Sequence, residues 1–131
     1  FGKPGRGDVV VFRSPKNQDV DFIKRVVALP GETVRLSGGK VYVNGAILNE
    51  SYLSGEVVTG PESFLAEGQE IVVPDGQYFV MGDNREHSSD SRDFGPVTPK
   101  EFVGKVFMYL SAGILSLVTV YYMIKNKGRK M

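Results

Sequence analysis

Asp21-Phe22-Ile23-Lys24-Arg25-Val26-Val27-Ala28-Leu29, closed by Pro30-Gly31, is the stretch that sets the fold. A β-branched, apolar run ended by a turn pair reads as a strand. Alternation places Phe22, Lys24, Val26 and Ala28 on one face and Asp21, Ile23, Arg25, Val27 and Leu29 largely on the other. Lys24 therefore shares its face with three apolar side chains. Burial disfavours an ammonium ion, whose ordinary pKa is about 10.4, so this site favours a neutral amine able to accept a proton. Arg25 adds like-charge pressure in the same direction while pointing away. The bland alternative is a lysine at a sheet edge, its stem on apolar surface and its charge in water.

Outward from this strand, most of the chain reads the same way. Gly7-Asp8 leads into Val9-Val10-Val11-Phe12, and Thr33-Val34-Arg35-Leu36 and Lys40-Val41-Tyr42-Val43 flank Gly38-Gly39, a hairpin signal that Asn44-Gly45 repeats. Ile71-Val72-Val73 and Tyr78-Phe79-Val80-Met81 flank Pro74-Asp75-Gly76. Thr98-Pro99-Lys100-Glu101 fits a capping box that opens one helical turn. Residues 49–68, rich in Glu, Ser and Gly, read as an exposed excursion or small cap. Many short strands with few helical periods predict an all-β, antiparallel, barrel-like or sandwich domain.

At 131 residues the chain holds one well-cored domain. Its formal charge of +1 hides an asymmetry, because Lys125, Lys127, Arg129 and Lys130 close the chain and leave 12 basic against 15 acidic groups before them. A slightly acidic body gives no support for nucleic-acid binding. The absence of cysteine removes disulfides, thiol catalysis and the usual zinc ligands. Residues 106–124 form an uncharged run of 19, long enough as a helix to reach about 28 Å. The expectation is a β domain over residues 1–107 and an apolar membrane helix with a basic tail over 108–131. The rival reading makes residues 103–109 a last core strand and leaves a run marginal for spanning.

The second informative stretch is Gly82-Asp83-Asn84-Arg85-Glu86-His87-Ser88-Ser89-Asp90-Ser91-Arg92-Asp93. Asp90 and Arg92, two apart, can pair, stiffen the loop and aim serine hydroxyls at a neighbour. The arginines compete with any metal for the carboxylates, and His87 is the one histidine, so neither a metal nor a cofactor is expected. His87, held between Glu86 and Ser88, is poorly placed for a Ser-His-Asp triad and reads as a loop residue. A solvated turn with surface ion pairs is the bland alternative.

Together these residues resemble the bacterial type I signal peptidases, the membrane-bound Ser–Lys endopeptidases that remove signal peptides from exported proteins. Four blocks carry the resemblance: Arg6-Gly7-Asp8-Val9-Val10-Val11-Phe12, the strand from Ile23 through Pro30-Gly31-Glu32, Val41-Tyr42-Val43-Asn44-Gly45, and the polar loop from Gly82 to Gly95. The similarity spans residues 5 to about 107. It implies that Lys24 is the general base and that the Ser88 hydroxyl orients its amine. Asp90 and Arg92 would support Ser88, and Asp83, Asn84 and Arg85 would form the structural start of the loop. It further implies a β domain on the extracytoplasmic face of the cell membrane, in contact with lipid, whose substrates are secretory preproteins with small residues one and three positions before the cut.

The chain departs from that pattern twice. The family's nucleophile lies in a Ser-Met-x-Pro-like block upstream of the first matched block, and Ser14-Pro15 falls on its wrong side. Part of the oxyanion hole is missing with it. The expectation is a fragment that lacks its N-terminal nucleophile segment and cleaves nothing alone. The long apolar C-terminus is the other departure, read as a second anchor. Two rivals stand beside this reading: a catalytically dead homologue that binds peptides, and a Ser–Lys self-cleaving repressor-type protease, which the apolar tail and the full polar loop disfavour.

Overall fold

The computed structural model describes residues 3–17 and 20–98, and the backbone of 102–106, 110–111 and 114–115. Among the described residues ten strands follow in chain order: β1 (Val9–Arg13), β2 (Asp21–Ala28), β3 (Thr33–Ser37), β4 (Lys40–Val43), β5 (Ala46–Ile47), β6 (Glu70–Val72), β7 (Phe79–Met81), β8 (Phe102–Val106), β9 (Leu110–Ser111) and β10 (Ile114–Leu115). One short helix, α1 (Ser91–Phe94), lies between β7 and β8.

Two four-stranded antiparallel sheets result, in the orders β7-β2-β1-β8 and β5-β4-β3-β6. The expected β strands are all present, but the barrel is not closed among the described residues. Its physical reason lies in the edges. β5 has two residues and β6 three, too short a ladder to carry hydrogen bonding across to β7 or β8. The Asn44-Gly45 hairpin forms as its sequence demands, with φ of 52° at Asn44 and 80° at Gly45, the left-handed pair a tight two-residue turn needs.

β2 lies inside its sheet, between β1 and β7, so Lys24 is not a sheet-edge lysine. Strict alternation along β2 fails after Val26. There Val26 pairs with Val80 and Ala28 with Phe79, so Val27 is one residue extra. The bulge reverses the phase of the strand. Val26 joins the cluster of Val10, Phe12, Tyr78, Val80 and Val97, while Val27 and Ala28 both join that of Val34, Leu36, Leu65, Phe79 and Met81. One strand thus serves two cores and fixes Lys24 at the rim of the first.

Residues 49–68 contain no helix or strand, yet they are tied in. Leu65 is fully buried in the second core, and Thr59 is buried beside the polar loop. The expected helix over 108–131 is not supported. Among its described residues, Leu110–Ser111 and Ile114–Leu115 pair as an antiparallel hairpin, with Gly113, a poor helix former, between them in sequence. No helix among the described residues is long and apolar enough to cross a membrane. The rest of that segment, and the expected helical turn at 99–101, lie outside the described residues.

Candidate active site

Val10 of β1 pairs with Lys24, and on the other side Arg25 pairs with Met81, the last residue of β7, which brings the residue after it, Gly82, opposite Lys24. The Lys24 Nζ donates to Ser88 Oγ at 2.8 Å and lies 4.9 Å from the centre of the Phe22 ring. Desolvation lowers the amine's pKa below the ordinary lysine value. Arg92 adds to that shift, while Asp90 and Glu62 oppose it.

Gly82 makes this meeting possible. A Cβ on Gly82 would lie 2.0 Å from Ser88 Oγ, 2.7 Å from Ser88 Cβ and 3.2 Å from Lys24 Nζ. The space that a side chain would fill is the space where amine and hydroxyl meet. Any larger residue must displace one of them.

Beyond Gly82 the chain makes one 3₁₀ turn over Arg85–His87, extends at Ser88 and enters α1. Asp90 caps α1, accepting from the Arg92 N–H at 3.1 Å. The same carboxylate takes the Gly82 N–H at 3.0 Å and the Arg92 Nε and Nη2 at 2.9 and 2.8 Å. Arg92 also donates to the Gly60 and Arg85 carbonyls, each at 3.0 Å, and meets Glu62 at 3.2 Å. Asp90 and Arg92 are both buried, which is tolerable because nearly every hydrogen-bonding position of the pair is filled. Ser91 Oγ accepts from the Val80 N–H at 2.9 Å, tying the loop back onto β7.

Asp83 grips Arg25 through two oxygens, at 2.9 and 2.7 Å. The Arg25 guanidinium also donates to the Gly7 carbonyl at 2.8 Å and lies 4.1 Å from the centre of the Tyr52 ring. Arg25 thus points away from Lys24 as alternation required, but into a paired, buried seat. Arg85 is fully buried. It donates to the Gly82 carbonyl at 2.8 Å, to Thr59 Oγ1 at 3.0 Å, and to both oxygens of Glu50. Asn84 and His87 are exposed.

The structure therefore gathers Lys24, Ser88, Asp90 and Arg92 into one contiguous cluster, with Asp83 and Arg85 bracing the start of the loop. Sequence reasoning missed Gly82, Ser91, Glu50, Thr59 and Glu62. No signal in the sequence pointed to the last three, because the loop's own Asp83, Glu86, Asp90 and Asp93 outnumber its two arginines.

A small β domain that seats a lysine amine and a serine hydroxyl against a glycine, over a buried Asp–Arg pair, defines the class. A family model described as "Signal peptidase, peptidase S26" matches residues 1–111. Probable signal peptidase I-2 of Synechocystis is 42% identical over 110 residues, which cover 80% of this chain and 47% of that protein. Signal peptidase I V of Bacillus subtilis is 42% identical over 108 residues, 77% of this chain and 63% of that protein. A crystal structure of a signal peptidase I from Enterococcus faecalis superposes with a TM-score of 0.66 at 34% identity, covering 81% of this chain and 98% of the other. The chain belongs to the S26 signal peptidase family. It spans about half the length of the Synechocystis relative and under two thirds of the Bacillus one.

Proposed function

We propose that this chain forms the base-bearing β domain of a signal peptidase I that cuts exported preproteins through a Ser–Lys dyad. Lys24 is the general base. Its neutral Nζ takes the proton from an attacking serine hydroxyl while that oxygen bonds to the scissile carbonyl carbon. The proton passes to the departing amine nitrogen as the peptide bond breaks. Lys24 then takes a proton from water as the water oxygen bonds to the acyl carbon, and returns it to the serine oxygen as the ester bond breaks and the carboxyl product leaves. The attacking serine lies in a segment upstream of the first matched block. Ser88 orients the amine, Asp90 and Arg92 hold Ser88 in place, and Asp83, Asn84 and Arg85 shape the loop that carries it.

The observation that carries this reading is the 2.8 Å contact of Lys24 Nζ with Ser88 Oγ beside Gly82, on an interior strand. Family membership supports the rest: one β domain over residues 1–107 on the extracytoplasmic face of the cell membrane, in contact with lipid. The substrate lies extended, with shallow apolar pockets reading small residues one and three positions before the cut.

In the full-length protein Lys24→Ala abolishes preprotein cleavage while leaving a folded β domain, as read by cleavage assay and circular dichroism. Retained cleavage contradicts the base assignment. The same 2.8 Å contact favours a second reading, with Ser88 itself as the nucleophile. Ser88→Ala separates the two. An orienting serine leaves residual turnover, reduced about 10²–10⁴-fold, whereas a nucleophilic one leaves turnover no higher than that of Lys24→Ala.

A further inference from the structure

Residues 49–68 and the polar loop are joined at both of the loop's arginines. Glu50 meets Arg85, whose side chain is fully buried, and Glu62 meets Arg92. Arg85 donates four hydrogen bonds: two to the carboxylate oxygens of Glu50, one to Thr59 Oγ1, and one from its Nε–H to the Gly82 carbonyl. Tyr52 donates to Glu50 Oε2 at 2.8 Å and fixes that carboxylate in turn. The Phe64 and Leu65 N–H groups both donate to the Arg92 carbonyl, at 2.8 and 3.0 Å, and Leu65 anchors the segment in the core. The segment is a strap over the loop.

What the strap holds is the wall of the site. The Gly82 carbonyl is fastened by Arg85 and its N–H by Asp90, so the peptide units on both sides of Gly82 are fixed. Lys24 Nζ and Ser88 Oγ meet in the space beside that residue. A buried guanidinium that loses its counter-charge must move or draw in water, and Arg85 cannot move without releasing Gly82. We infer that Glu50 is a positioning residue: by clamping Arg85 it fixes the Gly82 wall against which the Lys24 amine and the Ser88 hydroxyl are aligned. The inference rests on Lys24 as the general base.

The charged groups acting on the Lys24 amine are Asp90 and Arg92 from the loop and Glu62 from the strap; Arg25, on its own strand, faces away toward Asp83. Glu50 works at one remove, so the readout must distinguish a shifted wall from a lost charge. The full-length protein is compared with Glu50→Gln, Thr59→Val and Lys24→Ala, each checked for folding by circular dichroism, with kcat, KM and the pH dependence of kcat/KM measured on a preprotein. In Glu50→Gln, kcat falls about tenfold or more with KM within about twofold. Water admitted at the loosened wall moves the acid limb to higher pH. Thr59→Val, which removes one acceptor of Arg85 at nearly constant volume, shows a smaller change of the same sign and decides the matter if Glu50→Gln does not fold. A kcat and acid limb unchanged in the folded variants overturn the strap while Lys24→Ala is inactive. Cleavage retained by Lys24→Ala overturns the base assignment and this inference with it.

Discussion

Lys24 and Ser88 stand 64 residues apart in the chain, yet the amine and hydroxyl meet at 2.8 Å. The lysine was legible from its neighbours, because apolar residues two positions away on either side leave a strand lysine in a desolvated place. Gly82 was not legible in that way. Its importance is a matter of vacant space, and the two side chains that use the space come from distant parts of the chain. Burial of Lys24 has a thermodynamic consequence that can be measured. Its folded pKa lies below its unfolded value of about 10.4, so between those values the unfolded chain binds the extra proton and stability rises with pH. At pH 7 the buried lysine therefore costs stability. Lys24→Met is expected to raise the melting temperature at pH 7, with the gain shrinking as pH approaches about 10. Equal gains at both ends of a melting series, or a loss at pH 7, would contradict the burial argument.

Among the elements, β2 and the polar loop account for the site. The strand's existence and its Pro30-Gly31 stop were plain in the sequence, but the bulge at Val27 was not. When residues on both faces of a strand are apolar, as from Val26 to Ala28, a slip of phase leaves no trace in the pattern. The loop's Asp90–Arg92 pair was legible from spacing, although its burial was not, since composition alone reads such a loop as solvated. Burial changes its worth. Asp90→Ala would leave Arg92 with Glu62, two carbonyls and no bidentate partner, and would free the Gly82 N–H. We expect a loss of about 3–5 kcal/mol in urea unfolding, far above the roughly 1 kcal/mol of an exposed pair. A loss of less than about 1 kcal/mol would return the loop to the status of a surface turn. Segment 49–68 misled in the opposite direction: its glutamates looked solvent-directed, whereas Glu50 and Glu62 are partners for buried arginines.

For the molecule as a whole, the all-β, antiparallel class followed from short strands and turn pairs, whereas the closed barrel did not. Closure depends on how edge strands end, and β5 and β6 end too soon to be joined. β2 belongs to one sheet but sends side chains into both cores, and that arrangement holds one lysine where water is scarce. The fold, not the residue type, sets the state of the amine. The deciding measurement follows the Lys24 Nζ resonance through a pH titration, assigned by its loss in Lys24→Ala, in the native chain and again in urea. The native amine should release its proton at clearly lower pH than the unfolded one. Identical titration in both states, near the ordinary value of about 10.4, would contradict the account.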